Sequence, residues 1–359
     1  MSESEQAPAP WPEAELEHLG ACPLCHSFRR KLLHEGLSDK VFYCAPGVWT
    51  LWHCEDCEAA YLDPRPSPAS IGMAYSNYYT HDPAPRRARF VNNPQPGIQS
   101  LVQRFRNGEI NRCFGYRREP ALRPRWLSSA LPYLIPGEVT RLDRHIRQLP
   151  PPQGPKSRLL DVGAGNGDFV ALAQTLGYHA KGLEADANAV AVGRERGLAL
   201  EQGSMPGAAL EADAYEQITL NHVIEHLHDP HGALRELHAA LVPGGRIWVQ
   251  TPNLDACGHV EFGRYWLHLD PPRHLVLFKP RVLRSALEQA GFRDIEIMES
   301  APETKSCFRR SLGVKHELRT ESEPNPYWNR GWKRRARAAD RLAKKNPELG
   351  ESITLIGWR

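Results

Sequence analysis

Residues 157–162 read SRLLDV, and Gly163-Ala-Gly165-Asn-Gly167-Asp168 follows at once. A helical period then runs to residue 176, and a second apolar run covers 180–184. No other stretch constrains the fold as tightly. Glycines at alternate positions after a strand let the backbone turn sharply and approach a ligand closely, and the next helix offers its unpaired N–H groups. A dinucleotide site fits less well, because GxGxxG needs its third glycine at position 168, where Asp168 stands. Glu184 closes the second run, where a carboxylate can accept both hydroxyls of a ribose. Together these features predict an adenosine-ribose site without a pyrophosphate.

The alternation continues beyond Glu184. Helices are expected at 187–196, 230–241 and 280–290, and strands at 199–202, 217–221, 246–251 and 294–298. Such alternation implies an α/β fold, a Rossmann-like doubly wound sheet covered on both faces. The run 352–357 (SITLIG) is a further strand; if it joins the same sheet, residues of about 300–350 are an insertion. Proline-rich stretches at 62–70, 83–96 and 149–155 break regular structure. They divide the chain into a cysteine-bearing module (1–66), an Arg-rich helical cap (67–150) and the main domain (151–359). No apolar run approaches the ~20 residues that span a bilayer. The first twenty residues lack the basic and apolar regions of a signal peptide, so a cytoplasmic location is expected.

Four segments, DVGAGNGDF, KGLEAD, ITLNHVIEHLHDP and LVPGGRIWVQTPN, resemble successive motifs of class I S-adenosylmethionine (SAM)-dependent methyltransferases, over residues of about 155–292. The resemblance implies a seven-stranded sheet and assigns roles by position. Asp161 would lie near the methionine amino group, with Gly163 and Gly165 against the cofactor and Glu184 on the ribose hydroxyls. Ser204 and Met205 would flank the adenine, and Asn221 and His222 would border the methyl group. An [N/D]PP[Y/F] motif of exocyclic-amine methyltransferases is missing after residue 220, where the chain reads Asn221-His-Val-Ile.

Histidines cluster at 222, 226, 228, 231, 268 and 274, and a histidine with a pKa near 6.5 is a natural general base. The segment Tyr265-Trp266 through Asp270-Pro-Pro-Arg273-His274 resembles a W…DPPRH signature of bacterial methyltransferases, including relatives of ubiquinone-type O-methyltransferases. Trp266 is expected to stack on an acceptor ring, Arg273 to pair with a phosphate or carboxylate, and His274 to take the proton. The competing reading makes His274 a structural hydrogen-bond donor; His226 reads as structural.

Cys22-x-x-Cys25 and Cys54-x-x-Cys57 form a four-cysteine array suited to one tetrahedral, structural Zn²⁺ in a ribbon-like module. Cys44 and His53 are possible substitute ligands. This head also resembles that of bacterial methyltransferases acting on nucleotide-linked sugars and glycans.

The formal net charge of +3 conceals charge blocks. Basic against acidic residues number 4 and 10 in 1–62, 15 and 6 in 63–156, 12 and 19 in 157–300, and 14 and 7 in 301–359. Thirteen arginines and no lysine fall in 86–147, interleaved with aromatics such as Phe90, Trp126 and Tyr133. These blocks suit phosphate-bearing partners, or they neutralise the acidic core. The expected function is O- or C-methylation of a small, phosphorylated or glycan-linked acceptor. A zinc-headed RNA methyltransferase and a non-catalytic SAM-binding protein are the alternatives.

Overall fold

In a computed structural model, residues 9–75, 98–122, 146–299, 302–318 and 325–359 are described. The head contributes three antiparallel strands, β1 (Arg30–Leu37), β2 (Trp49–Cys54) and β3 (Ala60–Leu62). Its fourth strand comes from far along the chain: Val276–Leu277 pairs with Ala60–Tyr61. Head and main domain therefore share a sheet, and Trp49, Leu51 and Leu62 share one buried cluster with Phe262, Trp266 and Phe308.

Within the expected cap, a short 3-10 turn at Ile71–Tyr75 is described, as is helix α1 (Ile98–Phe114). Its Ile110, with Tyr116, Ile146 and Leu149, packs against Leu159, Val170 and Ala180 of the main domain. The cap residues Phe90, Trp126 and Tyr133 lie outside the described residues.

The main domain then builds β4 (Arg158–Val162), α2 (Asp168–Thr175), β5 (His179–Glu184), α3 (Ala187–Glu195), β6 (Leu200–Gln202) and β7 (Tyr215–Asn221). After these come α4 (Pro230–Ala240), β8 (Leu241–Pro252), α5 (Cys257–Phe262), β9 (Val276–Leu277), α6 (Pro280–Gln289) and β10 (Arg293–Ile297). Helices α7 (Thr304–Lys315) and α8 (Arg330–Lys345) and strand β11 (Ser352–Trp358) complete the order.

Local chemistry explains several boundaries. Pro230 and Pro280 occupy the first turns of their helices, where a missing N–H costs nothing. Asp229 caps α4 by accepting from the Gly232 N–H at 2.8 Å. Buried runs such as Leu159-Leu160 and Ile218-Thr219-Leu220 suit strands covered on both faces.

The large sheet has seven strands in the order β10-β11-β8-β7-β4-β5-β6. Only β11 runs antiparallel to its neighbours. The last strand thus joins the sheet, and α7 and α8 form the insertion before it. From β4 the chain winds outward through β5 and β6, then returns to β7 on the other side of β4. A crevice opens beyond the carboxyl ends of β4 and β7, at this switch point.

Candidate active site

Val162 and Leu220 are register partners, so Gly163 and Asn221–His222 leave the sheet side by side. They open into a cavity of about 1390 Å³. Gly163, Gly165, Glu184, Ser204, Met205, Asn221, His222 and His274 all line it. The glycine loop is forced by space as well as by conformation. Gly163 has φ +70°, and a Cβ there would lie 2.3 Å from Val223 Cγ2. Glu184 spans the loop: its Oε2 accepts the Gly165 N–H at 2.7 Å and its Oε1 the Asp186 N–H at 2.9 Å.

Asp161 lies one layer deeper. Its Oδ1 accepts from Arg147 Nη1 at 2.5 Å and Thr219 Oγ1 at 2.8 Å, while its Oδ2 is buried with no hydrogen-bond partner. Burial raises its pKa against the opposing charge of Arg147. Arg147, stacked 3.8 Å from the Phe169 ring centroid, lines the cavity itself.

At the other end of the cavity, His222 Nδ1 lies 3.1 Å from Glu225 Oε1, and Thr251 Oγ1 donates to Glu225 Oε2 at 2.9 Å. Burial of the His222 ring favours its neutral form, but the hydrogen bond and charge of Glu225 outweigh burial and raise its pKa. Glu225 is fully buried; His222 nonetheless holds its carboxyl at about 2. His274 is the opposite case. Burial, then the nearby His226, push it down to about 4. Its Nδ1–H donates to the His268 carbonyl at 2.7 Å, which leaves Nε2 as the lone-pair nitrogen.

Two expected acceptor groups do not line the cavity. Arg273 is fully buried and clamps two carboxylates, Asp39 of the head and Asp270. A guanidinium so saturated has no fork left for an acceptor phosphate. Trp266 is 1% exposed, and its indole N–H donates to buried Glu351 at 3.0 Å. Both residues support the cavity wall from behind.

The remaining histidines divide by role. His226 Nδ1 donates to the Arg273 carbonyl at 2.9 Å. His228 and His231 reach head carbonyls, Pro66 at 2.9 Å and Leu24 at 3.1 Å. Sequence reasoning missed the contribution of the head to the cavity, where Val41 and Phe42 form part of the wall beside Tyr75, which follows the head in the chain. It also missed Arg147 and Glu225. No spacing signal marks an arginine within an Arg-rich block or a glutamate that acts through a neighbouring ring.

The sulfurs of Cys22, Cys25, Cys54 and Cys57 lie within 4.8 Å of one another, with Cys22–Cys57 at 3.5 Å and Cys25–Cys54 at 3.4 Å. A Zn–S bond of ~2.3 Å in a tetrahedron sets S–S edges of roughly 3.8 Å, so the donor set fits one Zn²⁺. Cys44 and His53 do not join the cluster. The Cys44 sulfur faces Asp39 and the Ala74 carbonyl instead.

Residues 137–297 match the family described as "Methyltransferase domain". This segment of the chain carries a methyltransferase domain. It is 30% identical over 103 residues to a ubiquinone biosynthesis O-methyltransferase of Aeromonas salmonicida, covering 27% of this chain and 43% of that protein. It is 28% identical over 173 residues to the biotin biosynthesis bifunctional protein BioHC of Cellvibrio japonicus, covering 47% and 34%. The chain thus spans less than half the length of either relative. A SAM-dependent methyltransferase from Archaeoglobus fulgidus superposes with a TM-score of 0.42 at 18% identity, over 63% of this chain and 99% of that one.

The methyltransferase domain fits SAM in its own terms. The loop has no room for a side chain at Gly163, and Asp161 Oδ2 is an unpaired buried acceptor behind the cavity wall.

Proposed function

We propose that the protein O-methylates a small acceptor with SAM, using His222 as general base. The observation that carries this reading is the shared cavity, with the glycine loop and Glu184 at one end and the His222–Glu225 couple at the other. SAM supplies an electrophilic methyl on sulfur. When SAM is bound, Glu184 would receive the ribose hydroxyls, Ser204 and Met205 would flank the adenine, and Asn221 would border the methyl group. Arg147 keeps Asp161 oriented towards the amino-acid end.

His222 does the protein's chemical work at the acceptor. Its Nδ1–H faces Glu225, so Nε2 is the nitrogen able to take a hydroxyl proton. With its proton on Nε2, the acceptor oxygen would be free to bond the methyl carbon while the carbon–sulfur electron pair stays with sulfur. Glu225 fixes the tautomer and stabilises the charged ring, the logic of a base oriented by a carboxylate. His274, with its depressed pKa, is the weaker base and relays the proton onward or holds the acceptor by hydrogen bonding. The O-methyltransferase names of several relatives support oxygen as the nucleophile.

In the head we propose one structural Zn²⁺ on Cys22, Cys25, Cys54 and Cys57. Four thiolates leave no open position, so the ion would stabilise the head and take no part in methyl transfer.

The test is incubation of the purified chain and cell extract with SAM carrying a deuterated methyl group, followed by mass spectrometry. An extract component should gain one labelled methyl. His222→Gln should lower that transfer about 10²–10⁴-fold with SAM affinity retained in calorimetry. Equal transfer by the variant would refute His222 as base, and no SAM binding by the wild type would refute the whole reading.

A further inference from the structure

Helix α8, RGWKRRARAADRLAKK, carries eight Lys or Arg and a single acid, Asp340. At 100° per residue these charges are not spread evenly. Trp332, Ala336, Ala339 and Ala343 recur at steps of 4, 3 and 4 and form one stripe. Ala336 and Ala339 are buried, and Trp332 stacks on Phe262 of α5 and packs against Phe308 of α7. Arg330, Arg334, Arg337, Arg341 and Lys344 recur at steps of 4, 3, 4 and 3 and form a second stripe, on the opposite side. All five are exposed, and none forms an ion pair among the described residues. Asp340 is half-buried, on the flank of the packed side. The helix is therefore held by a narrow seam of Trp332 and three alanines and presents to solvent a row of cations that are unpaired among the described residues.

We propose that this face of α8 docks the protein on an anionic lipid surface. Five cations in a row along a 16-residue helix present a flat positive strip about 24 Å long, the geometry that a layer of lipid phosphates complements. The neighbouring apolar groups are aliphatic. Leu342 is 51% exposed on the flank of the stripe, and Val260 is 83% exposed on α5, which the Arg335–Glu261 ion pair ties to α8. The nearby aromatic rings each have one face occupied: Trp332 in its stack, and Tyr327, itself 43% exposed, against His316 at 3.6 Å between ring centroids. Nucleic acid binding draws on free aromatic faces for its bases, whereas exposed aliphatics among cations suit the headgroup region of a bilayer. This inference does not depend on methyl transfer.

The full chain is mixed with vesicles of phosphatidylcholine alone, or of phosphatidylcholine with a quarter phosphatidylglycerol, and floated through a density gradient. Binding to the phosphatidylglycerol vesicles only, reversed by salt, is expected. The triple variant Arg334→Glu/Arg337→Glu/Arg341→Glu should lose about a hundredfold or more of that affinity, because each charge contributes several-fold. Its SAM affinity and melting temperature should match the wild type, since all three side chains are exposed. Equal binding to both vesicle types, or unchanged binding by the triple variant, overturns the proposal. So does tighter binding to a single-stranded RNA oligonucleotide than to anionic vesicles at equal salt.

Discussion

Asp39 and Arg273 lie 234 positions apart, and their side chains form a bidentate pair with no solvent access. Asp39 also accepts the N–H groups of Val41, Phe42, Cys44 and Ala45, so one carboxylate shapes the head loop that reaches the cavity. On the other side, Asp270 grips the same guanidinium next to His274. The pair joins the cysteine-bearing head to the acceptor wall.

Breaking that link should be costly. Arg273→Met would leave two buried carboxylates facing each other, and losing one partner of a buried pair costs about 3–5 kcal/mol. Chemical denaturation should register a loss of that size. Arg273→Lys should rescue little, because an ammonium cannot offer two carboxylates a planar fork. Stability within 1 kcal/mol of the wild type would contradict the clamp.

The cysteine cluster predicts about one zinc per chain by elemental analysis. Cys54→Ser, at a buried sulfur, should lower both zinc content and melting temperature. Loss of zinc without any change in melting temperature would separate the metal from the fold.

Glu184→Ala should abolish SAM binding in calorimetry, whereas His274→Ala should retain it. A parallel test exists in the loop. Gly163→Ala forces a methyl to 2.3 Å from Val223 Cγ2 at a φ of +70°, and SAM affinity should fall at least tenfold. Normal affinity in either the Glu184 or the Gly163 variant would remove that residue from the cofactor site.

His274 also predicts acid sensitivity. Its folded pKa of about 4 lies below the usual value near 6.5. Between those limits the unfolded chain binds a proton that the native site refuses. The stabilisation is therefore complete above about pH 6.5 and is lost as pH falls towards 4, by up to about 3 kcal/mol. His274→Gln should narrow the gap in melting temperature between pH 7 and pH 5. An unchanged gap would show that His274 is not the titrating group.

Much of the fold was legible because its signals are local. The alternation of apolar runs, prolines and glycines located the strands and helices of the sheet, and 352–357 was recognisable as a strand before its partners were known. The glycine loop and Glu184 could be read together because one crossover separates them, a span fixed by the lengths of a helix and two strands. The four cysteines were legible for a similar reason, since each pair is a local turn.

Arg273 and Trp266 show where such reading stops. Their residue types fit recognition of an anionic or aromatic acceptor equally well as they fit burial. The choice depended on Asp39 and Glu351, which arrive from the head and from the last strand. Sequence spacing carries no information about which distant carboxylate meets a guanidinium.

By itself the sequence determined the order of elements, the position of the glycine loop at a strand end and the donor chemistry of the head. Those follow from backbone geometry and local periodicity, which neighbouring residues set. Tertiary structure alone decided that β3 would pair with Val276–Leu277 and that the head would wall the cavity. It alone decided that His222 would have Glu225 as its partner while His274 lost its basicity to burial. Such outcomes arise from side chains brought together across the core, where desolvation and charge act through space.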